Sequence, residues 1–142
     1  MLKRFSILFL FALLISPVLF AAETTAEKPT TLPADGGEPG KAYMAYTKAF
    51  ASGDIAALKK MVSADRAKQL DDPQMKEMLP MMQALQPKDI KITGGTMTSK
   101  EATLNAEGKA EGATEKQTGT IHMILEDKTW KVEKESWKSG MQ

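Results

Sequence analysis

Three groups of residues in this sequence have side-chain types and spacing that chemistry could use. The first is a single imidazole, His122. To act as a general base it would need a partner that orients it and a cavity that excludes water. The second is a run of thioethers. Met75, Met78 and Met82 stand at i, i+3 and i+7, one face of a helix, and thioether sulfur is a soft ligand suited to Cu(I). The same spacing is what a buried stripe requires, and methionine fills irregular gaps well. The third group is aromatic. Tyr43, Tyr46, Phe50 and Trp130 could line a concave apolar pocket for a small molecule, and they are equally the residue types that dominate a sealed interior. Glu133 and Glu135 alternate with Lys131 and Lys134 and read as one solvated strand face. No Gly-x-Ser-x-Gly turn and no glycine-rich phosphate loop occurs, and residues 106–112 read as a polar hairpin tip. No catalytic residue and no cofactor is assigned.

Composition narrows the classes further. The chain has 142 residues, 19 Lys+Arg, 18 Asp+Glu, one His and no Cys. That excludes a disulfide framework, a thiolate zinc site, a cysteine nucleophile and a lipidated N-terminal cysteine. The head is basic at Lys3 and Arg4, apolar from Phe5 to Phe20, and small at Ala21 and Ala22, the layout of a cleavable signal peptide over 1–22. The apolar run is short and a polar tract follows it, so no membrane span is expected after cleavage. Without Lys3 and Arg4 the balance is 17 basic to 18 acidic residues, and Arg66 is the one arginine left. A nucleic-acid binder is excluded on that ground. Residues 23–39 hold three Pro, four Thr and one large aliphatic, Leu32, and read as a flexible leader. A single domain over 40–138 and a tail over 139–142 complete the chain.

The elements that would position the candidates follow from period. Tyr43, Tyr46 and Phe50 share a helical face, and Gly53 ends that helix. Asp54 caps a second helix carrying Ile55, Leu58, Met61 and Val62. A third runs from about Ala64 to Leu70. Asp72-Pro73 opens a fourth, with Met75, Met78, Leu79, Met82 and Leu85 spaced for burial and Pro80 predicting a kink or early stop. Past Pro87 the period becomes two. Strand runs contain Ile90 and Ile92, then Ala102, Leu104 and Ala106, then Ile121, Met123 and Leu125, then Trp130 and Val132. Gly94-Gly95 marks a break or bulge. Trp137 has the opposite parity to Val132, which requires a bulge between them or an outward-facing ring. If Ile121 and Met123 face the helices, Thr118, Thr120, His122 and Ile124 form the opposite face. The expected class is α+β: helices first, then a curved four-stranded antiparallel meander with the helices on one side.

Residues 46–58 (Tyr-x-x-Ala-Phe-Ala-Ser-Gly-Asp-Ile-Ala-Ala-Leu), the helical middle and the closing Glu-Asp-Lys-Thr-Trp-Lys-Val of 126–132 resemble the nuclear-transport-factor-two-like, cystatin-like cone superfamily, especially its small exported bacterial members. The resemblance spans most of 40–138. It implies a sheet wrapped around the first helix, with a pocket at the open end of the cone. Enzymatic relatives place Asp/His or Tyr/Asp pairs there. This chain has one His, and its Asp residues fall at caps, turns or a strand start, so no catalytic residue carries over.

The resulting expectation is a non-catalytic periplasmic or secreted binding protein whose partner is another protein. One version is an immunity protein that neutralises a periplasm-targeted toxin. The partner face would be Thr118, Thr120, His122 and Ile124, a face that also suits a homodimer. The alternatives are a carrier of a small apolar ligand held by Tyr43, Tyr46, Phe50 and Trp130, and a degenerate hydrolase or isomerase of the same fold.

Overall fold

The structure is a computed structural model and describes residues 26–112 and 114–140. The signal peptide expected over 1–22 lies outside the described residues, as does the end of the tail. The elements are β1 (Thr30–Leu32), α1 (Gly37–Ser52), α2 (Ile55–Met61), α3 (Ala64–Gln69), α4 (Pro73–Leu85), β2 (Lys88–Met97), β3 (Glu101–Lys109), β4 (Lys116–Glu126) and β5 (Thr129–Ser139). The strands form one antiparallel sheet in the order β1-β2-β3-β4-β5, open at β1 and β5. The α+β class and the meander are as the periodicity indicates, but the sheet has five strands rather than four.

The extra strand comes from the stretch read as leader. Thr30, Thr31 and Leu32 pair with Met97, Thr96 and Gly95, and Leu32 is buried in the core. Glu27 adds bonds from the Ser99 amide (3.0 Å) and hydroxyl (2.5 Å). A composition argument asks whether a segment can bury enough surface of its own. β1 instead uses the unpaired backbone groups along β2 and needs one apolar anchor. The first helix likewise starts at Gly37, inside the stretch read as leader and before the domain start expected at residue 40.

The helix boundaries follow local chemistry. Gly53, at φ 71°, closes α1 in the left-handed conformation, its N–H reaching back to the Phe50 carbonyl. Asp54 then accepts from the Ala57 amide at 3.0 Å to cap α2. α2 stops at Met61, because Val62 turns extended and bridges in parallel to Val132, while the Ser63 amide donates to the Val132 carbonyl. This contact covers part of the β5 edge and fixes where α3 begins. α4 starts on the Asp72 cap with Pro73 in its first turn and continues past Pro80 to Leu85 without the early stop. Pro80 and Lys76 are both exposed, so water can take the carbonyl that the missing N–H leaves free.

The core lies between the helices and one sheet face. Tyr43 and Tyr46 of α1 meet Leu104, Ile121, Met123 and Val132, all almost fully buried. β2 shifts register between Ile92 and Gly94, the irregularity that Gly94-Gly95 announces, yet the strand runs on to Met97. A side chain at Gly95 would come within 2.2 Å of the Thr103 carbonyl oxygen, so that crossing requires glycine. β5 is bulged. His122 pairs with Lys134 and Met123 with Val132, which leaves Glu133 as the inserted residue. Among the described residues no helix is long and apolar enough to cross a membrane.

Candidate functional site

The bulge at Glu133 decides what the site contains. In an unbroken strand the parity of Val132 would send Glu135 outward beside Glu133. The inserted residue resets the alternation, so Glu135 and Trp137 turn inward with Val132. The two glutamates read as one solvated face are therefore separated: Glu133 is exposed, and Glu135 enters the helix side of the sheet. Trp137 takes the bulge option and lies over Gly119, where a β-carbon would stand 2.8 Å from the indole ring.

Glu135 is held by α1. The Tyr43 hydroxyl donates to Oε2 at 3.0 Å and the Tyr46 hydroxyl donates to Oε1 at 2.8 Å. Both tyrosine rings are buried, and a buried phenol needs a partner for its O–H. One carboxylate serves both. The two rings stack with centroids 5.8 Å apart, and Phe50 follows at 5.9 Å from Tyr46, so the i, i+3, i+7 spacing becomes a continuous aromatic row.

Arg66 approaches from α3. The Ser63 hydroxyl accepts from the Arg66 amide to cap that helix, and Ser63 itself is tied to Val132, three residues before Glu135. The guanidinium sits over the Tyr46 ring, Cζ to centroid 5.7 Å. Its Nη2 donates to the Tyr46 hydroxyl oxygen at 3.3 Å and lies 3.8 Å from Glu135 Oε1. Tyr46 is thus a relay, accepting from arginine and donating to glutamate. Nη1 of Arg66 is buried and has no partner among the described residues.

Electrostatics accompany this geometry. Burial pushes the Tyr43 hydroxyl well above the ordinary phenol value of 10.0, and the negative charge and hydrogen bond of Glu135 push it further. Burial and Glu135 raise Tyr46 in the same way, with the Arg66 cation pulling partly against them. Both phenols are firm donors through neutral pH.

Beside this cluster lies a cavity of about 140 Å³ to which all four helices contribute. Tyr46 and Phe50 come from α1, Leu58 from α2, Arg66 and Gln69 from α3, and Met75, Leu79 and Met82 from α4. The walls are apolar, and the guanidinium with the Tyr46 hydroxyl marks one polar end.

The other expected site residues separate. Of the four aromatic candidates, Tyr46 and Phe50 line this cavity, Tyr43 reaches Glu135 instead, and Trp130 packs at the margin of the core where β5 begins. Met75 and Met82 line the cavity, whereas Met78 is 45% exposed outside it. Thr118, Thr120 and His122 are exposed and Ile124 half-buried on the sheet face away from the helices. The His122 Nδ1 lies 3.3 Å from the Thr103 hydroxyl. The ring borders a shallow depression around the β5 edge, with Glu133 and Lys134 beside it and Arg66 and Glu135 over the edge.

Arg66 and Glu135 are absent from the sequence-based site. Two signals pointed to them: Arg66 is the only arginine beyond residue 4, and the opposite parities of Val132 and Trp137 allow the bulge that brings Glu135 inward. No model of a known protein family matches this chain, and none of the curated proteins is similar to it.

Proposed function

We propose that this is an exported, non-catalytic binding domain that carries a small, mainly apolar ligand in the cavity between its four helices. The observation that supports it most is the combination of that cavity's apolar wall with a polar end. Small-molecule sites pair predominantly hydrophobic linings with a few convergent polar groups that fix orientation. A volume of about 140 Å³ suits a single ring or a short branched chain; a dry apolar cavity of roughly 150 Å³ is enough to take up benzene. A lipid or a nucleotide would not fit. The α+β arrangement, with an aromatic-rich first helix against an antiparallel meander, also supports distant membership of the nuclear-transport-factor-two-like superfamily.

Toluene is the plainest probe. A ligand that binds only the folded chain raises its stability by about 2.7 kcal/mol at a hundredfold excess over Kd. Wild-type protein should therefore melt several degrees higher in toluene-saturated buffer. Met75→Trp, which places a bulky side chain from a half-buried flexible position into the cavity, should abolish the shift while remaining folded. No shift in the wild type, or an equal shift in the filled variant, rejects the reading.

A further inference from the structure

We infer that the ligand of this cavity carries a carboxylate, which takes up Nη1 of Arg66. The inference rests on the binding function proposed above and adds the chemical class of the ligand.

The argument begins with Glu135. A half-buried arginine beside a glutamate frequently joins it through two parallel hydrogen bonds. Here each carboxylate oxygen accepts one phenol, Oε1 from Tyr46 and Oε2 from Tyr43, and neither accepts directly from the arginine. Arg66 stands 3.8 Å from Oε1 and reaches the acid through the Tyr46 oxygen, using Nη2 alone. The guanidinium is therefore held in place by one edge and by the ring beneath it, and its other terminal nitrogen has no acceptor among the described residues.

An orphaned donor on a permanent cation is costly when water cannot reach it. The same residue lines the helix-bounded cavity, whose remaining wall is mostly thioether, aliphatic and aromatic. We assign the acceptor for Nη1 to an occupant of that space, the more enclosed of the two hollows that Arg66 borders. Arginine donors in a fixed plane match a carboxylate better than any other small acceptor, and a charge-assisted bond in an apolar surround is the stronger kind. Repulsion from Glu135 is reduced, because two hydroxyl dipoles point at its oxygens. The occupant is then a small acid with an apolar body, oriented with its carboxylate toward α3 and its hydrocarbon toward Leu58, Leu79 and Met82.

Benzoate, benzamide and toluene test this on the full chain. Benzoate and benzamide share a shape and differ in charge, and toluene reports the cavity alone. At neutral pH benzoate should bind at least about tenfold tighter than benzamide by calorimetry, and Arg66→Gln should bring the ratio near one while toluene binding persists. Arg66→Lys, which keeps the charge without the planar fork, should fall between. In an Arg4→Lys chain Arg66 is the sole arginine, so its guanidinium N–H resonances are unambiguous; benzoate should shift them and benzamide should not. Toluene binding without a preference for benzoate overturns the acid and leaves the cavity function standing. A preference that survives Arg66→Gln, or silent guanidinium resonances, overturns the assignment to Arg66. Failure of all three probes overturns both readings.

Discussion

The two tyrosines make the alkaline stability of this protein calculable. Tyr43 is 0% and Tyr46 1% exposed, and burial together with Glu135 holds both hydroxyls far above the ordinary 10.0. In the unfolded chain each phenol titrates near that ordinary value. Below about pH 10 both states keep their protons and stability is unaffected; above it the unfolded chain releases protons that the folded chain retains. Stability therefore falls as pH rises. At about pH 11 the loss is about 1.4 kcal/mol for each tyrosine, or about 2.8 kcal/mol for the pair. For a domain of this size that lowers the melting temperature by about 10 °C. The chain has two tyrosines, so the near-ultraviolet tyrosinate absorbance reports them alone. Thermal melts by circular dichroism from about pH 8 to pH 11, alongside that absorbance, give the test. Tyrosinate should appear only with unfolding, and Tyr43→Phe should halve the alkaline loss. Its stability at neutral pH should also drop by about 1–3 kcal/mol, because Oε2 of Glu135 loses its donor. Tyrosinate absorbance that rises near pH 10 in the folded chain, or an undiminished slope in Tyr43→Phe, refutes the buried pairing.

Two further outcomes test the architecture that holds the site. Gly119→Ala places a β-carbon 2.8 Å from the Trp137 ring and should cost about 1–3 kcal/mol, read from the urea midpoint; an unchanged midpoint means the ring does not lie over β4. Leu32→Ala should cost about 2 kcal/mol and strip hydrogen-exchange protection from Met97, whose amide faces β1, while Thr96, β3 and β4 keep theirs; uniform protection would show that β1 is not anchored by this residue.

Much of the fold was readable because it rests on local rules. The Gly53–Asp54 junction, the Asp72-Pro73 start and the period-two runs each encode an element in a few neighbouring residues, and the structure has them in place. β1 was not readable in this way. Thr30, Thr31 and Leu32 carry no pattern of their own, and their partners Met97, Thr96 and Gly95 lie more than sixty residues away. Composition measures what a segment can bury by itself; it is blind to an edge that supplies half of the bonding. Pro80 shows the converse. A local rule predicts a break, and the helix passes through because the disturbed carbonyl is on the wet side.

The site was hidden by one residue. Alternation places His122 outward correctly, since β4 is regular from Lys116 to Glu126. Applied across β5, the same counting also sends Glu135 outward, and the lysines around it make a solvated face the natural reading. The inserted Glu133 reverses that count. The reversed register also serves the far end of the strand: it turns the half-buried Trp137 inward, where its ring lies over Gly119 of β4. Seating the indole inward forces the residue two before it inward as well. A carboxylate placed there needs donors, and the i, i+3 tyrosines of α1 provide one for each oxygen. The arginine that arrives from α3 stays 3.8 Å from the acid and bonds the Tyr46 oxygen instead, so one of its nitrogens is left without a partner among the described residues. The inward Glu135 and its two phenol donors thus follow from a single bulge. Deleting Glu133 makes Val132 and Lys134 consecutive partners of Met123 and His122, so β5 should become regular with Glu135 and the indole still inward; tyrosinate that appears only on unfolding in this variant checks it, and tyrosinate near pH 10 in its folded state refutes it.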